Sequence, residues 1–309
     1  ESVELGILTT IKKVHRRIYF IIIYLLGFIV YFSPLRALIG LSFHNHLYSH
    51  FLFIPLASVF FLGINRKRIF AEIGYSPAVG LSVIAAGLVS YATGILWNRQ
   101  LSQNDFLFFC MIGFVTWTIG SFIAFYGKRA FQKALLPTLF LIFMIPIPFI
   151  LLDPIIRMLQ VGTAHAVDGI FQIIGIPYYR DGMVFEFTGV TIEVAKECSG
   201  IRSSLAMIIT SVVAGYLTLP SGWRRVVLSL TVLPITIFKN AVRITTITLL
   251  SIYVDGNFLT NSWIHRSGGI VFFAIGLVLL ALVIWVLRWR RERAPGLIRK
   301  IAHFGDMRP

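Results

Sequence analysis

Long apolar runs separated by short basic clusters constrain this chain more than any other feature. About eight can be read, at approximately Ile18–Ser33, Leu47–Ile64, Ala78–Trp97, Phe106–Tyr126, Ala134–Leu152, Gly200–Leu219, Val226–Tyr253 and Ser267–Leu287. A hydrocarbon core takes about 20 apolar residues per helix. Backbone groups inside it must be satisfied without water, which a single segment achieves only as a helix. An all-α polytopic membrane protein of about eight transmembrane helices is therefore expected. Only 13% of the 309 residues are charged, against about 25% in soluble domains, so lipid must be the solvent for most of the surface. The net charge of +15 would point to nucleic acid in a soluble protein. Here the basic residues sit at the ends of apolar runs, where they report topology; lipid, and no nucleic acid, is the expected partner.

With both termini cytoplasmic, the inner segments collect most of the 28 basic residues: Lys12 to Arg17, Arg66 to Arg68, Lys128 to Lys133, Arg224 and Arg225, and the tail from Arg288. The first run follows a basic start with no small-residue cleavage site behind it and reads as a retained span, not a signal peptide. Four regions follow: a five-span part (1–152), an extracytoplasmic amphipathic helix and hairpin (153–197), a three-span part (198–289) and a basic cytoplasmic tail (290–309). In the insertion before span six, Arg157, Gln160, His165, Asp168 and Gln172 share one face of a helix over Ile155–Gly175, which fits a helix in the interface or one packed on the bundle. Met183–Val194 alternates around Thr188-Gly189 and reads as a hairpin leading into Cys198.

Three positions put polar chemistry where it is expensive. Cys198 stands in Glu197-Cys198-Ser199-Gly200-Ile201-Arg202-Ser203-Ser204, where the hairpin meets the sixth span. The positive end of a helix dipole there favours thiolate, Ser199 and Gly200 suit a cap and a close approach, and Arg202 adds positive potential. A small core cysteine is the plain alternative, but it needs none of these polar neighbours. Arg243, in Lys239-Asn240-Ala241-Val242-Arg243, lies within the seventh span, where an arginine costs about 2.5–3.5 kcal/mol and marks function by default; pairing with Glu197 or Glu193 is the structural alternative. His265, ahead of Gly268 and Gly269, starts the eighth span and reads either as an interfacial residue or as an acid/base. Together the three supply a nucleophile, a proton carrier and a fixed positive charge for an oxyanion.

The run Glu197 to Ser203 resembles the cysteine motif of exosortases and archaeosortases. Asn240-Ala241-Val242-Arg243 resembles their arginine motif, and His265 with Gly268/Gly269 their histidine motif. The likeness covers about Asp153 to Trp289. It implies a membrane cysteine protease or transpeptidase acting on exported proteins that end in a short motif such as Pro-Glu-Pro, a transmembrane helix and a basic tail (PEP-CTERM-like signals). It also implies that Cys198 forms a thioester, Arg243 steadies the oxyanion or orients the substrate, and His265 is the acid/base. Glu197, Ser199, Gly200, Arg202 and Asn240 would support the site. The setting implied is a bacterial inner or archaeal plasma membrane, with the site on the extracytoplasmic side.

Other readings remain beside it. His44, His46 and His50 form an H-x-H-x3-H cluster that suits zinc, yet no carboxylate lies near it and no H-E-x-x-H is present; neither metal nor cofactor is expected. Another membrane hydrolase of the G-x-S-x-G kind lacks its motif. A transporter with Arg243 binding an anion is a further alternative, lowered by the missing internal repeat. Cys110 reads as structural, and both cysteines are expected as free thiols.

Overall fold

The computed structural model describes residues 2–45, 48–254, 256 and 269–289, with the side chains of 2–13, 197 and 198 excepted. Two compact units divide at Leu152/Asp153.

In the first unit, α1 (Ser2–Val30) and α2 (Phe32–His44) meet at a 67° bend. Pro34 explains it: in a continuous helix its ring would collide with the carbonyl of Val30. A 3₁₀ turn at Ser49–Leu52 leads into α3 (Phe53–Ile64), and α4 (Arg66–Ile69) is a single turn. The two longest apolar helices follow, α5 (Pro77–Leu96) and α6 (Gln103–Lys133), the latter kinked at Gly127, whose φ is +84°. Gly80, Gly87 and Gly94 recur every seventh residue along α5 and face α6. A Cβ at Gly80 would come within 2.5 Å of Ala124, and one at Gly87 within 2.4 Å of Thr116 Oγ1. Small residues at this spacing let two membrane helices touch backbone to backbone. Trp117 of α6 donates its indole N–H to the Ile23 carbonyl at 3.0 Å, tying α1 to the pair. The unit closes with α7 (Leu135–Leu139) and a 3₁₀ turn at Phe140–Met144, ended by Pro146 and Pro148.

Most of α8 (Phe149–Ile174) belongs to the second unit. Behind it come β1 (Tyr179–Asp181), β2 (Val184–Phe187) and β3 (Val190–Glu193), an antiparallel sheet in sequence order. Val184 pairs with Glu193 and Phe187 with Val190, which leaves Thr188-Gly189 as the two-residue loop expected from the sequence. The sheet buries Phe185 and Ile192 with Ala164, Val167 and Phe171 of α8. A polar seam closes its edge: Arg180 pairs with Asp168 at 2.9 Å, and the Tyr178 hydroxyl donates to the same carboxylate. Burial, then that hydrogen bond, pushes the Tyr178 phenol above its ordinary pKa. A 3₁₀ turn at Lys196–Ser199 joins the sheet to α9 (Ile201–Thr218), followed by α10 (Gly222–Leu230), α11 (Val232–Tyr253) and α12 (Gly269–Trp289). Met207, Leu219, Leu228, Val232, Ile235 and Leu280 form their common core.

The protein is thus a helical, multi-pass membrane protein, and the expected count of eight spans is not confirmed. Among the described residues five helices are long and apolar enough to cross a membrane: α5, α6, α9, α10 with α11 as one span, and α12. The count rises to seven if each bent pair, α1/α2 and Leu135–Met144 with α8 (88°), is one span. The expected span at Leu47–Ile64 yields only a short apolar helix, Ser49–Ile64. The fifth is broken because Pro146 and Pro148, two and four residues past the 3₁₀ turn that ends at Met144, stop the helix where hydropathy alone continues it.

Candidate active site

The site is built where the sheet hands the chain to α9. After β3 the backbone passes through Val194 and Ala195 into the 3₁₀ turn that carries Cys198, then through Gly200 into α9. Gly200 takes φ +76°, a left-handed conformation open to glycine. It also sits against α11: a Cβ here would stand 3.3 Å from Thr236 Cγ2 and 3.5 Å from Asn240 Cγ. One turn of α11 therefore packs directly on the joint between the cysteine turn and α9.

Hydrogen bonds lock that joint. The Ser203 and Ser204 hydroxyls both donate to the Gly200 carbonyl at 2.9 Å. Lys239 of α11 donates its ammonium to Ser203 Oγ at 2.7 Å. Ser199 is fully buried, and its Oγ accepts a long contact of 3.4 Å from the Ile201 N–H. Upstream, Gln160 of α8 donates to the Val194 carbonyl at 2.9 Å and fixes the exit of β3. Val194 shares its core with Ala241, so the approach to the turn also runs along α11.

These contacts give α9 and α11 opposite directions. Gly200 lies by Asn240, while Met207, two turns along α9, shares a core with Val232 and Ile235. Arg243, half-buried and about 4.5 Å beyond Asn240 at a 1.5 Å rise per residue, is consequently displaced toward the side from which the cysteine turn enters. Lys239 and Arg243 are four apart and share a helix face. Asn240 is 1% and Lys239 4% exposed. Among the described residues the ion pairs of this unit are Arg180 with Asp168 and Lys196 with Asp153, so Lys239 has no carboxylate partner there.

Of the residues singled out from sequence, Ser199, Gly200 and Asn240 come together. Arg243 stands one turn away, and Arg202 is exposed on α9. The turn holding Glu197 and Cys198 is described in its backbone only, and His265, with Gly268, lies outside the described residues. Thr236 and Gln160 join the site without having been read as part of it, and Ser203, read as a polar neighbour of Cys198, joins it through Lys239. Thr236 shares the Asn240 face at i−4, which was the available signal. His44 turns its ring back to donate to the Gly40 carbonyl at 2.8 Å, and His50 lies edge-on to Phe51; His46 is outside the described residues. Cys110 is a buried free thiol of α6.

The arrangement favours an anion at the turn: it meets the N-terminus of an 18-residue helix, into whose first turn Lys239 is bonded through Ser203. A family model described as transmembrane exosortase matches residues 41–282, well over half of the chain. No curated protein matches, and no solved structure does.

Proposed function

The chain belongs to the transmembrane exosortase family, and from that premise we propose that it is a cysteine transpeptidase or protease that removes C-terminal sorting signals from exported proteins. The observation that carries this reading is the seat of Gly200 on Asn240, which brings the arginine-bearing turn of α11 to the cysteine-bearing turn before α9.

In this reading the Cys198 thiolate attacks the scissile carbonyl carbon near a short motif of the Pro-Glu-Pro kind. The carbonyl electrons move onto oxygen, and Arg243 stabilises that oxyanion as a fixed charge. The C–N bond then breaks and the leaving amine takes a proton from His265, releasing the transmembrane helix with its basic tail. An acceptor amine or water attacks the thioester, His265 takes its proton, and Cys198 leaves as thiolate. A basic cytoplasmic tail on the substrate puts the motif at the outer interface, so the active site faces out and both termini face in.

The test is processing in cells. Reporters with candidate tripartite tails are co-expressed with wild type, Cys198→Ala, Arg243→Ala or His265→Ala, and tail removal is followed by gel shift and mass spectrometry. Cys198→Ala abolishes it, and Arg243→Ala slows it about 10²–10³-fold, as loss of one oxyanion donor does elsewhere. Tail removal by Cys198→Ala would end the reading. Loss of function in Arg243→Ala with Cys198→Ala intact would favour an anion transporter instead.

A further inference from the structure

Lys239 is a charge the fold keeps against its own interest. It lies within the span Gly222–Tyr253 and is 4% exposed. A cation in a span costs several kcal/mol, and Arg243 one turn away adds like-charge repulsion. The stem threads a slot between three helices: a Cβ at Gly276 of α12 would come 3.1 Å from Lys239 Cδ and 3.0 Å from Met207 Sδ of α9. Packing alone would be served as well by a methionine or leucine, without the charge.

The head shows where the charge is directed. Lys239 Nζ donates to Ser203 Oγ at 2.7 Å, and the Ser203 hydroxyl in turn donates a hydrogen bond to the Gly200 carbonyl at 2.9 Å. Both acceptors are neutral, and among the described residues no carboxylate lies within ion-pair distance of the ammonium. The chain of bonds ends on the residue two positions after Cys198. The charged groups around that turn are Glu193, Lys196 and Glu197 on its own segment, Arg202 on α9, and Lys239 and Arg243 on α11. Lys239 is both deeply buried and bonded into the first turn of α9.

We propose that Lys239 is a positioning residue whose buried ammonium, held through Ser203 against the first turn of α9, stabilises the thiolate of Cys198. Among the described residues no carboxylate balances that charge, and a thiolate at Cys198 would balance it. The inference rests on the reading of Cys198 as nucleophile.

The test is the pH dependence of Cys198 alkylation by iodoacetamide, in membranes carrying the full-length protein and read by mass spectrometry at the Cys198 peptide. Lys239→Met keeps the stem and removes the charge. It moves the midpoint of the rate–pH curve up by about one unit, making alkylation about tenfold slower at neutral pH. Ser203→Ala removes the link but leaves the slot filled, and moves the midpoint the same way by less. Lys239→Arg retains the charge and lies closer to wild type than Lys239→Met. Should Lys239→Met fail to insert, the Ser203→Ala profile decides. An unmoved midpoint in the variants that fold overturns the role of Lys239. Processing that survives Cys198→Ala overturns the nucleophile reading instead, so the two failures are told apart.

Discussion

Gly200 and Asn240 are in contact range across two helices: a Cβ on Gly200 would lie 3.5 Å from Asn240 Cγ, and Gly200 already needs φ +76°. Both facts bear on Gly200→Ala. A left-handed alanine costs about 1–2 kcal/mol, and the added methyl group also pushes on Thr236 at 3.3 Å. Gly182 is the control, with φ +59° and open space around it. Gly182→Ala is expected to lose similar stability in a thermal melt while keeping tail processing. Gly200→Ala is expected to lose stability and processing together. Equal processing by the two would mean that the contact with α11 does not matter.

Gln160 carries a second prediction. Its amide satisfies the Val194 carbonyl at 2.9 Å, and both residues are buried. Gln160→Leu keeps the bulk and leaves a buried acceptor unpaired, at about 1–3 kcal/mol. The loss is local, because that bond pins the strand exit before the cysteine turn. Amides of residues 190–200 are expected to exchange faster with deuterium, while those of α5 and α6 keep their protection. Unchanged exchange over 190–200 would rule out this anchoring role.

The hairpin was legible because alternation of period 2 broken by Thr-Gly survives in any context. Strand β1 was not: three residues after Pro177 carry too little pattern, and what holds them is the pairing of Arg180 with Asp168, a contact the sequence does not order. The count of eight spans is not confirmed among the described residues, for a related reason. Hydropathy measures whether a run tolerates lipid, but Pro34, Pro146 and Pro148 decide whether the helix continues. At the site, Ser199, Gly200, Asn240 and Arg243 stood out as polar or small residues at costly places. The link from Lys239 through Ser203 to Gly200 depends on how α9 and α11 pack, and no periodicity in either helix carries that.

The glycines of α5 give a graded prediction. A Cβ at Gly87 would meet Thr116 Oγ1 at 2.4 Å and the Gly113 carbonyl oxygen at 2.9 Å; at Gly94 the nearest atom is Phe109 Cβ at 3.1 Å; at Gly63 of α3 nothing lies within 4 Å. Backbone cannot yield as a side chain can, so Gly87→Ala is expected to cost about 1–3 kcal/mol by overpacking. Gly94→Ala should cost less, and Gly63→Ala should be neutral or slightly stabilising. Melting temperatures in one detergent, ranked in that order, test the close approach of α5 to α6. A Gly87→Ala protein as stable as wild type would refute it.

Glu72 supplies the pH-dependent case. It follows α4, outside the spans, and accepts a 2.7 Å hydrogen bond from Lys133 at the end of α6, with Arg129 at 4.0 Å. The hydrogen bond from Lys133, then its charge, hold the Glu72 carboxyl below its ordinary value. A carboxylate depressed by folding stabilises the native state at pH above its unfolded value, ordinarily about 4.3. That contribution is lost as pH falls through the lower folded value. Glu72→Gln should therefore melt slightly lower than wild type at pH 7, and the two curves should converge as pH falls below the lowered folded value, where neither protein has the charge. The pair is exposed, so salt should shrink the pH 7 difference as well. A difference that persisted unchanged into acid would show that Glu72 acts through packing and not through its charge.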